Sequence, residues 1–278
     1  MTFEQKLRQS VSESRSVLCV GLDPLIKRIP VAVKKNLKSS DEIVLQFLKD
    51  VVDATKQYCC AYKPNLAFFE ALGVYGLDVF KRIVDYIPNN KIIIADAKRG
   101  DIGHTAESYK KAYFDNFNVD AITLSPFMGF ETLESFLDDD SKAIYVLTLT
   151  SNEGAKDFLL KPFEGHDRMS DYIAKHLETL NTKFPGHAGM VIGATKTDIL
   201  TEVIQKHTQA SLLIPGIGAQ GGSVDDLANA LSSHQGIPII NSSRSIIYAG
   251  EGKDWKMDVE KAAVTLQSKL KTITGKYV

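Results

Sequence analysis

Short apolar runs rich in Val and Ile alternate along the chain with longer stretches whose apolar residues recur every three or four positions. A continuous apolar run bounded by turn residues is the pattern of a strand buried on both faces, and the three-to-four spacing is that of a helix with one apolar side. The strand-like runs fall at residues 17–23, 59–65, 92–98, 120–126, 143–150, 189–195, 212–218 and 238–243. Helix-like stretches fall at 41–58, 77–87, 106–117, 170–184, 196–207, 224–233 and 257–274. Ser40 ahead of Asp41 and Glu42, and Thr197 with Asp198 ahead of Ile199, set acceptors where the first free N–H groups of a helix need them. Strand and helix in this alternation predict an α/β fold on a parallel sheet. Eight units predict closure into a (β/α)8 TIM barrel rather than an open doubly wound sheet. The expectation is one barrel domain over residues 1–278. The longest irregular stretch, 151–169, follows the fifth strand, so it falls on the rim of C-terminal strand ends and has the length of a lid.

Composition acts mainly by exclusion. The formal net charge is −1 with both signs mixed along the chain, so no broad basic face attracts nucleic acid or an anionic membrane, and any bound anion must be captured locally. Cys19, Cys59 and Cys60 are odd in number and lie among apolar residues. That is neither a disulfide framework nor the paired spacing of a structural zinc site, and it fits buried thiols in a reducing cytoplasm. The first fifteen residues lack the apolar stretch of a signal peptide, and no run is long enough to span a bilayer. The histidines are scattered without ligand spacing, so no metal site is expected.

The candidate chemistry lies at strand ends. The third run passes from Ile92-Ile93-Ile94-Ala95 into Asp96-Ala97-Lys98-Arg99-Gly100-Asp101. In a strand Asp96 and Lys98 share a face, and at the C-terminal end that face looks into the barrel mouth. They read either as an ion pair closing the barrel top or as reactive groups. Lys63, near the end of the second run, and Asp23, at the end of the first, are further charges where barrel strands are ordinarily apolar. A single unpaired ion buried there costs several kcal/mol, roughly, so these charges are expected to meet as a compensated network. The ends of the seventh and eighth runs read Pro215-Gly216-Ile217-Gly218-Ala219-Gln220-Gly221-Gly222 and Asn241-Ser242-Ser243-Arg244. Loops after these two strands often bind phosphate in barrels; glycines admit an anion close to backbone N–H groups, and Arg244 adds a fork of donors. The alternative is a tight turn into a helix, since both the Walker lysine and the dinucleotide fingerprint are missing.

On these residues the chain resembles the orotidine 5'-phosphate decarboxylases over nearly its whole length, and most of all their longer bacterial branch. The family's Asp-x-Lys-x-x-Asp motif stands as Asp96, Lys98 and Asp101, the strand-two lysine as Lys63, and the glycine-rich segment and following arginine as 215–222 and Arg244. The resemblance implies decarboxylation of orotidine 5'-phosphate to uridine 5'-phosphate with no cofactor and no metal. It makes Lys98 the proton donor to C6, sets Asp96 beside the substrate carboxylate, and completes an alternating charge network with Lys63 and Asp101. It implies a homodimer with shared active sites, in which Asp101 and Thr105 serve the partner's site. Asp23 and Asn65 become ribose contacts, Ser151 a pyrimidine contact, and Gln220, Ser243 and Arg244 phosphate contacts. The chain departs from the family in having Ser243 where shorter members have glycine, and Glu153 where proline is common.

Two rivals are set against this reading. A relative acting on a sugar phosphate through a magnesium ion on the same motif is disfavoured by Lys63, which repels a cation and neutralises its ligands. A barrel that only binds nucleotide phosphate has no use for four buried charges.

Overall fold

The computed structural model describes residues 1–35, 37, 39–194, 197–217 and 223–278. All eight anticipated strands form: β1 (Leu18–Leu22), β2 (Ala61–Pro64), β3 (Ile92–Arg99), β4 (Ala121–Leu124), β5 (Ala143–Leu149), β6 (His187–Ile192), β7 (Leu212–Pro215) and β8 (Pro238–Ser242). Each pairs in parallel with the next, and β8 returns to β1 with Val20 opposite Ser242, which closes the barrel. Helices cover the outside, so the strands are buried on both faces and need unbroken apolar sequence. Alternation along β2 shows the two layers. Tyr62 points outward, its hydroxyl 2.8 Å from Thr55 on the helix Ser40–Thr55, while Lys63 points into the barrel.

Element ends moved where tertiary contacts outweighed local pattern. Strand β6 begins two residues before the apolar run because His187 and Ala188 find partners in Ala143 and Ile144 of β5. Ser39, not Ser40, caps the helix Ser40–Thr55, its hydroxyl accepting from Glu42 N–H. The stretch expected at 106–117 starts earlier, as the helix Gly103–Lys110, and continues as a π-helical turn over Lys111–Asn116. The stretch expected at 257–274 is two helices, Trp255–Lys269 and Lys271–Thr274, broken at Leu270. The segment 151–169 is less irregular than its sequence: it holds a 3-10 turn at Glu153–Lys156, and Met169 and Ser170 N–H bond back to the Lys161 and Leu159 carbonyls.

One helix went unread. Phe3–Ser14 is opened by a capping box in which Thr2 and Gln5 each accept the other's backbone N–H. Phe3, Leu7 and Val11, spaced by four, lie buried on one face of the helix, and the Phe3 ring meets Tyr145 of β5 edge-on at 6.3 Å. This helix closes the N-terminal end of the barrel and leaves the C-terminal end as the open one. All three cysteines are buried and free, and burial pushes the Cys59 thiol up to about 11. No helix among the described residues is long and apolar enough to cross a membrane.

Candidate active site

At the C-terminal mouth, Lys63 Nζ lies 2.6 Å from one oxygen of Asp96 and Lys98 Nζ lies 2.5 Å from the other. Asp96 is therefore bracketed by two ammonium groups. Burial alone opposes its charge, but Lys63 first and Lys98 second outweigh that and hold the carboxyl well below the usual carboxylate range. Burial likewise opposes the Lys63 ammonium, and Asp96 followed by Asp23 pushes it above the ordinary lysine value. The three differ in access. The side chains of Lys63 and Asp96 are 7% and 10% exposed, whereas Lys98 is 49% exposed and so presents its ammonium to the mouth.

Regular strand geometry does not produce this triad. Between Ala95, opposite Ile122, and Arg99, opposite Leu124, three residues of β3 face Thr123 alone on β4. The bulge is completed by Lys98 in the left-handed region, at φ +50°, which a lysine adopts only where its surroundings hold it there. Thr123 Oγ1 accepts the Lys98 backbone N–H at 3.0 Å and donates to Asp96 Oδ1 at 3.0 Å. The same-face expectation for Asp96 and Lys98 thus holds in outcome, but a bulge and a threonine side chain bring it about.

A cavity of about 240 Å³ opens beside the triad. Lys63, Asp96, Lys98, Thr123 and Ser151 form its polar side, and Leu147, Val191 and Leu213 its apolar wall. Of the remaining sequence candidates, Asn65 sits at the end of β2 bridged to Asp96, with its side-chain oxygen capping the helix Leu66–Glu70 through Ala67 N–H. Asp23 follows β1, and its Oδ1 is buried without a hydrogen-bond partner. Ser243 Oγ and Asn241 Oδ1 are also buried and unpartnered. Both crowd Gly21, where a Cβ would stand 2.6 Å from Ser243 Cβ and 3.1 Å from Asn241 Oδ1, so only glycine lets β8 approach β1 this closely. Such buried acceptors cost stability unless something donates to them, and a polyhydroxyl ligand has the donors.

Arg244 opens the helix Arg244–Ile247 directly after β8 and makes no ion pair among the described residues. Ser242 ties this corner together, its hydroxyl bonding the Ile217 carbonyl and the Ser245 hydroxyl. The seventh loop begins at Gly216 with φ +103°, a conformation side chains disfavour. Gln220 lies outside the described residues.

Asp101 and Thr105 are not brought to the triad. Asp101 accepts from the N–H of Ile102 at 2.8 Å, and Thr105 is exposed on the helix Gly103–Lys110. In the loops after β3 and β4, Ile102, Phe127 and Met128 are 56%, 58% and 49% exposed, and Phe127 meets Phe158 of the 151–169 segment at 6.2 Å.

Sequence reasoning gave no role to Thr123, Asn241 or Tyr248, although Asn241 stands in the 241–244 segment it singled out. The first two carry a signal, a polar residue near the C-terminal end of an apolar run. Tyr248 carries none. Its hydroxyl donates to the Asp23 carbonyl at 2.9 Å and accepts from Leu25 N–H, while its ring lies between the Arg28 guanidinium and Phe47. It fixes the loop that bears Asp23 from across the barrel closure.

The chain is 38% identical over 272 residues to an orotidine 5'-phosphate decarboxylase of Porphyromonas gingivalis, covering 96% of each, and 37% identical over 266 residues to one of Dehalococcoides mccartyi, covering 95% of each. Its fold superposes on the Leishmania donovani OMP decarboxylase structure with a TM-score of 0.78 at 29% identity, over 96% of this chain and 100% of that one. The sequence model of the orotidine 5'-phosphate decarboxylase / HUMPS family matches residues 16–255, and the chain therefore belongs to that family as a carboxy-lyase.

Proposed function

We propose that this enzyme converts orotidine 5'-phosphate to uridine 5'-phosphate, the last step of de novo uridylate synthesis, without a metal and with Lys98 as proton donor. The observation that carries the reading is Asp96 with a lysine on each oxygen, one of them half-exposed beside a cavity. Both carboxylate oxygens are already engaged by ammonium groups, an arrangement that opposes a divalent cation at the same carboxylate.

In this mechanism the bond from C6 to the carboxylate breaks and carbon dioxide leaves. The electron pair stays at C6, facing the Lys98 ammonium. A fixed cation in a site closed to water stabilises that developing charge far better than solvent does. The ammonium then gives its proton to C6 and recovers one from solvent. Asp96 sits by the departing carboxylate and holds both lysines in place. Asp23 and Asn65 bind the ribose, Ser151 the pyrimidine, and Gln220, Ser243 and Arg244 the phosphate, whose binding energy orients the distant reacting carbon.

The reading extends to a homodimer with shared sites, in which Asp101 and Thr105 reach the partner's triad. Their position away from the triad and the exposed Ile102, Phe127 and Met128 in the loops after β3 and β4 support it. Lys98→Ala and Asp101→Ala homodimers are then both crippled, while a refolded mixture regains about a quarter of the parent activity per subunit, because each heterodimer holds one intact site. Heterodimers that form and remain inactive overturn the shared site.

The deciding measurement follows the absorbance of orotidine 5'-phosphate with purified enzyme, with and without chelator. Turnover that is indifferent to chelator is expected. Folded enzyme that leaves the substrate untouched overturns the activity, and loss of turnover in chelator overturns the metal-free mechanism.

A further inference from the structure

At the β3 bulge the sheet ladder loses an acceptor. Asp96, Ala97 and Lys98 stand against one residue of β4, so the Lys98 N–H has no β4 carbonyl in register to receive it. It is received by a side chain, Thr123 Oγ1 at 3.0 Å. A hydroxyl that accepts an N–H still has one proton to give, and this one goes to Asp96 Oδ1 at 3.0 Å, the oxygen that also takes the Lys98 ammonium. One hydroxyl therefore fixes the backbone of the lysine and the carboxylate that receives its side chain. Both ends of Lys98 are referred to the same atom, and the residue between them holds a φ of +50°. Thr123 Oγ1 is buried beside the cavity, so solvent does not readily take over either bond.

We infer that Thr123 is a positioning residue for the reaction proposed above: its hydroxyl holds Lys98 in the left-handed bulge that aims the ammonium at the reacting carbon. Valine keeps nearly the same shape and removes the hydroxyl, and serine keeps the hydroxyl and removes the methyl. The role is in placing the proton donor rather than in gripping substrate, so it acts on the chemical step.

The inference rests on the proposed reaction, and the test separates the two. Parent, Thr123→Val and Thr123→Ser enzymes are compared in kcat and KM for orotidine 5'-phosphate and in hydrogen exchange of the Lys98 amide. Thr123→Val is expected to lower kcat about 30-fold, the scale of one hydrogen bond to a charged group, with KM within about threefold of the parent. Lys98 amide protection is lost in that variant, and Thr123→Ser restores both kcat and protection. A Thr123→Val enzyme with parental kcat overturns the inference, as does a Thr123→Ser enzyme no better than Thr123→Val, since returning the hydroxyl then restores nothing. If the parent itself fails to turn over substrate, the proposed reaction falls. The exchange measurement then still reads the hold on Lys98, and unchanged protection in Thr123→Val refutes it.

Discussion

At the closed end of the barrel Lys6 meets Asp120 at 2.5 Å, and at the open end Lys63 and Lys98 meet Asp96 at 2.6 and 2.5 Å. The two aspartates are equally buried, each with a side chain 10% exposed. Asp120 uses its second oxygen to accept the Ile93 N–H at 2.8 Å, so it joins the N-terminal helix to the sheet and its partners belong to the scaffold. Around Asp96 the partners are not scaffold alone. Lys98 is half-exposed beside a cavity, its backbone is held in an unfavourable conformation, and unpartnered buried acceptors on Asp23, Asn241 and Ser243 stand near the same mouth. Distance and burial do not distinguish a structural ion pair from a reactive one. Unused hydrogen-bonding capacity and local strain do.

The comparison breaks most sharply at Lys98. Lys98→Ala is expected to lower kcat by at least about a thousandfold while the melting temperature stays near the parent's, because a cation facing developing charge is lost and little packing is. Appreciable turnover by the variant would falsify the role of this lysine. Arg244→Ala comes next. Loss of a charged fork on the phosphate is expected to reduce kcat/KM about a hundredfold, again with little change in stability, since the residue is exposed and makes no described ion pair. Equal kcat/KM in variant and parent moves the anion site elsewhere.

Asp120→Ala reverses the pattern. It leaves the Ile93 N–H without its acceptor and Lys6 without its anion, a loss of about 2 kcal/mol, roughly 4 °C in melting temperature by calorimetry. Its kcat is expected within about twofold of the parent, and a large fall would mean that the closed end is coupled to the chemistry. The smallest effect concerns acid. The folded pKa of Asp96 is depressed below its unfolded value of 3.8, so its contribution to stability is complete above that value and is lost as pH falls through and below it. Asp96→Asn is therefore expected to lower stability near neutrality, where that contribution is complete, and to flatten the acid limb of the profile, the gap from the parent closing as pH falls. Parallel acid limbs for variant and parent would show that Asp96 holds no such depressed value.

The sequence alone determined the strand count, the parallel order and the location of the charges at strand ends. These follow from local periodicity and from the fixed handedness of strand–helix–strand connections. It also contained the N-terminal helix, in a capping box and a spacing of four, although charged residues between the apolar ones masked it. What it did not contain is the register between β3 and β4. A bulge is set by how two strands pair, not by either one, so neither the left-handed Lys98 nor the role of Thr123 was legible. The same holds for Tyr248, whose hydroxyl fixes a loop 225 positions away in the chain. It holds too for the close approach of Ser243 to Gly21, which exists only because β8 pairs with β1. Tertiary structure decided these because hydrogen bonds are short and directional, and only closure of the barrel brings donors and acceptors from distant strands within about 3 Å of one another.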